Sequence, residues 1–235
     1  VCGDLSNAFD FAQRDTRPFV QALPAVSAVA ARPAALPGRT VPALPAGLHP
    51  ARQEPGVRPA RALPYRPQVQ ATSVDGEGLT LQLASDGATA VLHVYDRLRL
   101  DAIPRRYTVV PGAPLQDRWP LDAQGRYDLW LLGPNGFHRH YRGAGTIAPL
   151  HAQVERADGQ LRLVLRNPSP SARRVKVQGG AYAGHMPVQE LQLVAGAETV
   201  LAWDPTPTAG WYDLIVRSEG VEQRLAGRTE DGRPG

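Results

Sequence analysis

GRYDLWLLGPNGF, from Gly125 to Phe137, and GWYDLIVRSEGV, from Gly210 to Val221, are the stretches on which the fold is read. In the first, Leu129 and Leu131 point to one face of an extended chain while Trp130 and Leu132 point to the other, the period of a β-strand. Gly133, Pro134, Asn135 and Gly136 then spell a tight turn, with Pro at the first central position and Gly at the left-handed one. Ser218, Glu219 and Gly220 form the poorer second version. The two stretches match in their first half, Tyr127 with Tyr212 and Asp128 with Asp213, at an offset of 85 (212 − 127). Upstream, Val110, Gly112, Ala113 and Trp119 match Val194, Gly196, Ala197 and Trp203 at an offset of 84 (203 − 119). Beyond the turn the offset returns to 84, in Gly136 with Gly220 and Gly143 with Gly227. One residue gained or lost in a turn is what a duplicated hairpin tolerates. The chain is therefore expected to carry two tandem copies of one β-domain.

The same style extends outward. Leu79, Leu81 and Leu83 alternate with Thr80 and Gln82, and Leu92 and Val94 follow the turn-like Ser85, Asp86 and Gly87. In the second half Leu161, Leu163 and Leu165, then Val175 and Val177, then Leu191 and Leu193 repeat the pattern. Short alternating runs separated by Gly, Asp, Asn and Pro are the mark of antiparallel sheets. Each copy fits a small sandwich, with Trp119 and Trp203 as core plugs and the hydroxyls of Tyr127 and Tyr212 as candidate ties from strand to loop.

Residues 18 to 67 differ. They hold eleven of the 23 prolines, interleaved with Ala, Arg and Gly. Each Pro lacks a donor and biases its predecessor towards extended geometry, so this segment reads as an extended linker. The expected organisation is 1–17 as the tail of an upstream domain, 18–67 as linker, 68–146 as the first sandwich and 147–235 as the second. Position 1 is Val and Met186 is the only methionine, as expected of a processed chain or a piece of a longer one.

The net charge of +4 resides in the first 67 residues, where eight Arg oppose Asp4, Asp10, Asp15 and Glu54. The remaining 18 basic and 18 acidic residues cancel. A balanced globular part argues against nucleic acid as a partner. Attraction to anionic vesicles is expected to be weak, salt-sensitive and confined to the arginines between 14 and 66. Cys2 is the only cysteine, so no disulfide closes within the chain.

Chemistry is sparse. His138 and His140 share one strand face, with Phe137, Arg139 and Tyr141 on the other, but a closed metal site wants about four ligands and no third is evident. His49, His93, His151 and His185 are isolated. Ser6, Asp4 and Asp10 lack a nearby His and a nucleophile elbow. No catalytic, cofactor-binding or metal-ligating residue is assigned. Trp130, Phe137, Tyr141, Tyr182 and Trp211 are read mainly as core, with a sugar- or lipid-binding platform as the alternative.

Three stretches carry a family resemblance: CGDLSNAFDFA at Cys2 to Ala12, YDLWLLGPNGFHRHYRG at Tyr127 to Gly143, and WYDLIV followed by RLAGRTEDGRP within Trp211 to Pro234. Together they resemble the C-terminal region of the bacterial phosphocholine-specific phospholipase C family, relatives of the acid phosphatases of the alkaline-phosphatase-like superfamily. The resemblance implies an all-β fold of two tandem sandwiches, preceded by the Pro-rich linker and the tail of a missing metal-dependent α/β catalytic domain. It implies a non-catalytic accessory region of a secreted or periplasmic phospholipase C, with no cofactor of its own. Its implied partners are the upstream catalytic domain of the same polypeptide and a phospholipid membrane surface. An autonomous lipid- or carbohydrate-binding module, or a structural or secretion spacer, is the alternative.

Overall fold

A computed structural model describes residues 35–38, 47 and 62–230. The expected tail at 1–17 and nearly all of the expected linker lie outside the described residues. Fourteen strands follow. The first seven are β1 (Tyr65–Val74), β2 (Gly78–Gly87), β3 (Ala90–Asp96), β4 (Arg105–Val109), β5 (Leu115–Pro120), β6 (Arg126–Leu132) and β7 (His138–Ala144). The second seven are β8 (His151–Ala157), β9 (Gln160–Arg166), β10 (Arg173–Gly179), β11 (Gln189–Leu193), β12 (Glu198–Trp203), β13 (Trp211–Ser218) and β14 (Val221–Arg228). All pairings are antiparallel.

The second half reproduces the first strand for strand. Sheet β1-β2-β5 has its counterpart in β8-β9-β12, and β7-β6-β3-β4 in β14-β13-β10-β11. Three strands thus face four in each copy, a Greek-key sandwich. Trp119 stands opposite Leu79 and Trp203 opposite Leu161, so the two indoles occupy equivalent positions. Each closes its own core, with Leu79, Leu81, Leu83, Leu129 and Leu131 in the first and Leu161, Leu163, Leu165 and Leu214 in the second. The leucine alternation read from the sequence is the inward face of these strands.

Three local readings differ. Strand β1 begins at Tyr65, inside the expected linker, because Pro67 is tolerated on an edge strand where its missing donor breaks no ladder bond. Ser85, Asp86 and Gly87 continue β2 opposite Pro67, Arg66 and Tyr65 instead of turning. In the β6–β7 hairpin the central pair is Asn135 and Gly136, at φ 55° and 69°, closed by the Phe137 N–H on the Pro134 carbonyl. Two consecutive positive φ values define the turn whose twist matches a hairpin. Glu219 and Gly220 repeat it at φ 47° and 81°, with Glu219 in a region unfavourable for a side chain.

The two tyrosines do not tie strands to loops as expected. The Tyr127 hydroxyl has no hydrogen-bond partner, and that of Tyr212 accepts from Arg139 of the other copy at 3.2 Å. Their rings lie instead over the glycines opposite them, Gly143 and Gly227. A Cβ at Gly143 would stand 2.7 Å from the Tyr127 ring carbon that bears the hydroxyl, and one at Gly227 3.1 Å from that of Tyr212. That contact accounts for the Tyr and Gly recurring together in both copies.

The copies are not beads on a string. The last strand of each, β7 and β14, pair with one another, so the two four-stranded sheets merge into one of eight strands, β11-β10-β13-β14-β7-β6-β3-β4. His140 stands opposite Arg224, which is also its counterpart at the offset of 84 (224 − 140). Around that pair the register is symmetric, Arg142 facing Glu222 and His138 facing Ala226. The junction therefore has the form of an isologous two-fold contact within a single chain. On the inner side Tyr141 donates to the Val69 carbonyl at 2.8 Å, and Gln223 to the Leu150 carbonyl at 2.8 Å.

Candidate functional site: the outer sheet face at the junction

Alternation places Asp128, Trp130, His138, His140, Asp213 and Arg224 on the outer face of the eight-stranded sheet, astride the local two-fold. His140 is 8% exposed and lies 2.6 Å from Asp128 through Nε2 and Oδ1. A carboxylate only accepts, so Nε2 carries the proton of the neutral ring. Arg97 approaches the same carboxylate at 3.4 Å and covers the Trp130 ring at 4.2 Å from its centroid. Trp130 meets His138 and His140 edge-on, with centroids 6.2 and 6.1 Å away. Across the axis Arg224 holds Asp213 with two bonds of 2.6 and 2.7 Å, and the Ala181 N–H donates to the same carboxylate at 2.7 Å.

Burial first, and then the neighbouring Arg224, His140 and Arg139, which oppose a second positive charge, push His138 down to about 4. His140 is also lowered, burial prevailing over the opposite pull of Asp128. Burial works to raise the Asp213 carboxyl, but the bonds from Arg224 and Ala181 outweigh it and hold it below the usual range. Both imidazoles are thus neutral at pH 7. A histidine whose folded pKa lies below its unfolded value leaves stability intact above about pH 6.5. As pH falls towards 4 the unfolded chain takes up protons that the native state refuses, and stability is lost. His151, also lowered by burial, contributes with the same sign. Discounted for solvent screening, His138 is worth about 1 kcal/mol, or roughly 2–4 °C. Thermal unfolding of His138→Gln should therefore lose less Tm between pH 7 and pH 4.5 than the parent; an identical slope would show that His138 is not shifted.

The paired histidines do share one face, as the sequence indicated. Among the described residues no group of three or more His, Cys, Asp or Glu is placed to hold a metal ion. No hydroxyl or thiol among them bonds to either imidazole, so the Asp128–His140 pair has no nucleophile to activate. His93 and His151 are half-buried on their strands and His185 is exposed in the loop after β10. His49, Ser6, Asp4 and Asp10 lie outside the described residues. Of the five aromatic residues, Phe137 and Tyr141 are in the first core and Tyr182 packs against the second; only Trp130 and Trp211 face outward. The reading missed Asp128, Asp213 and Arg224 as site residues, although the Asp pair was visible in the repeat.

Beside this face a groove of about 690 Å³ runs between β10, β11 and the β13–β14 turn. In it Glu222 pairs with Arg142 at 3.3 Å and with Arg217 at 2.6 Å, and Glu190 pairs with Lys176 at 3.2 Å.

Two antiparallel Greek-key sandwiches fused through one eight-stranded sheet define a tandem all-β module. The family of the bacterial phospholipase C C-terminal domain matches this chain twice, at residues 59–144 and 148–228. The chain belongs to that family. It is 36% identical over 253 residues to a non-hemolytic phospholipase C of Pseudomonas aeruginosa, and 35% over 247 residues to one of Burkholderia pseudomallei. A hemolytic phospholipase C of P. aeruginosa is 29% identical over 289 residues. Each alignment covers 100% of this chain but only 36%, 35% and 37% of the relative.

Proposed function

We propose that this chain is the accessory region of a secreted or periplasmic bacterial phospholipase C acting on phosphatidylcholine-type phosphodiesters, and that it supports the catalytic domain of the same polypeptide. The observation that carries this reading is the double family match, in a chain spanning about a third of relatives that are themselves phospholipases. Metal-dependent chemistry belongs, on this reading, to the rest of the enzyme. The covered faces of Trp130 and Trp119, each beneath an arginine, speak against a carbohydrate platform.

Displacement at phosphorus needs a positioned nucleophile and preorganised positive charge. The chain alone is therefore expected to hydrolyse neither phosphatidylcholine nor a chromogenic phosphocholine ester, with or without added zinc or calcium. Metal-dependent turnover by pure protein, abolished by His138→Ala, would refute the accessory reading.

A further inference from the structure

Among the described residues three β-hairpins turn on a central pair at positive φ: Asn135–Gly136 at 55° and 69°, Asp158–Gly159 at 51° and 77°, and Glu219–Gly220 at 47° and 81°. Only the first pair carries a side-chain amide. Its Nδ2 donates at 3.1 Å to Oε1 of Glu230, two residues beyond the end of β14. The same carboxylate accepts from Nη1 of Arg228 at 2.7 Å, and through Oε2 from the Leu63 N–H at 3.0 Å. Glu230 thus ties the β6–β7 turn of the first copy and the end of the second to the backbone just ahead of β1.

An asparagine followed by glycine is the amide most open to attack by its own backbone, because glycine places no side chain over its nitrogen. That nitrogen bonds to the side-chain carbonyl carbon and closes a five-membered succinimide, and the side-chain nitrogen leaves as ammonia with the proton from the N–H. Water then opens the ring to aspartate or isoaspartate. Gly136 is exposed, and among the described residues its N–H finds no acceptor, so the attacking nitrogen is free. Asn167 cannot react in this way, since Pro168 follows it with no hydrogen on its nitrogen, and its own amide donates to the Ser171, Leu193 and Val194 carbonyls. Glu230 opposes the step at Asn135: it holds the amide that must rotate onto Gly136, and it sets a negative charge beside an anionic intermediate. The product in turn opposes the clasp. A carboxylate at 135 has no proton to donate and faces Glu230 across the 3.1 Å that the hydrogen bond spans. Isoaspartate also adds a backbone methylene beside Gly136, where there is no room: a Cβ on Gly136 would already stand 2.7 Å from Cζ3 of Trp211.

We propose that Asn135 is a deamidation site of the folded chain, held back by Glu230, and that its conversion opens the clasp between the β6–β7 turn, Glu230 and Leu63. The change is one-way, so the tie at the entrance to β1 has a lifetime set by chemistry. The assignment rests on the turn's own geometry and does not depend on the phospholipase reading. It is tested by incubating the full chain under native, mildly alkaline conditions and following the tryptic peptides by mass spectrometry. The peptide from Tyr127 to Arg139 should gain the mass of an amide-to-acid exchange, while that from Asn167 to Arg173 should not. Glu230→Ala should speed the conversion about twofold to tenfold, as the loss of one hydrogen bond allows. Asn135→Gln, whose ring would need a sixth member, should abolish it. In the converted protein, and in Asn135→Asp, hydrogen exchange at the Leu63 amide should quicken at least about tenfold, with the core amides of Leu81 and Leu163 unchanged. A native chain that keeps Asn135 while the urea-unfolded chain converts would overturn the proposal. So would a rate indifferent to Glu230→Ala, or Leu63 exchange that conversion leaves as it was.

Discussion

Trp119→Ala and Trp203→Ala are each expected to destabilise the protein by about 3–5 kcal/mol, which at this size lowers Tm by roughly 6–20 °C. Both indoles are nearly buried, at 4% and 6% exposure, and each abuts the leucine that begins its core ladder. Equivalent environments predict equal effects. Neither indole N–H has a hydrogen-bond partner. Replacement by Phe therefore removes a buried unsatisfied donor along with some volume, and should be milder than replacement by Ala, at under about 2 kcal/mol. Calorimetry on the four variants checks this. A Trp203→Ala protein that melts like the parent would mean that the second sandwich does not depend on its plug.

The second large effect is expected at the junction. Arg139 is only 5% exposed, and its guanidinium donates to the His138 and Ala226 carbonyls at 2.9 and 3.0 Å and to the Tyr212 hydroxyl at 3.2 Å. It also lies 4.1 Å from the Phe137 ring centroid. One side chain thus ties β7 to β14 and to a ring of the second copy. Its counterpart at the offset of 84 is Gln223, which bonds to Leu150 instead, so the seam has two different clasps around one symmetric ladder. Arg139→Ala leaves three acceptors without their donor and a void beside Phe137, and should cost about 2–4 kcal/mol. Because the shared sheet couples the copies, the parent should unfold in one transition and the variant in a broadened or split one. A single sharp transition at the parental Tm would show that the β7–β14 ladder alone joins the halves.

The sequence by itself determined the strands, their inward faces and the existence of two copies. These are local properties: Leu79, Leu81 and Leu83 must lie on one side of any extended chain, and the Gly-Pro-Asn-Gly run marks a turn, although the structure centres it on Asn135 and Gly136 and not on Pro134. The recurrence of Tyr with Gly, 16 residues apart in the first copy (143 − 127) and 15 in the second (227 − 212), likewise reports a contact between neighbouring strands. What joins the copies was not legible. HRHYRGA and VEQRLAGR each describe a strand with one buried face, but ladder hydrogen bonds are made by the backbone and carry no name of a partner. Which free edge meets which depends on the shape of two finished sandwiches, and only the tertiary structure makes β7 face β14. The same holds for individual side chains. Arg139 belongs to a residue type usually found at the surface, yet the junction closes over it, while Leu100 and Ile103 belong to core types, yet a pair of turns holds them in water. Burial and proximity are properties of the folded surface and not of the order of residues.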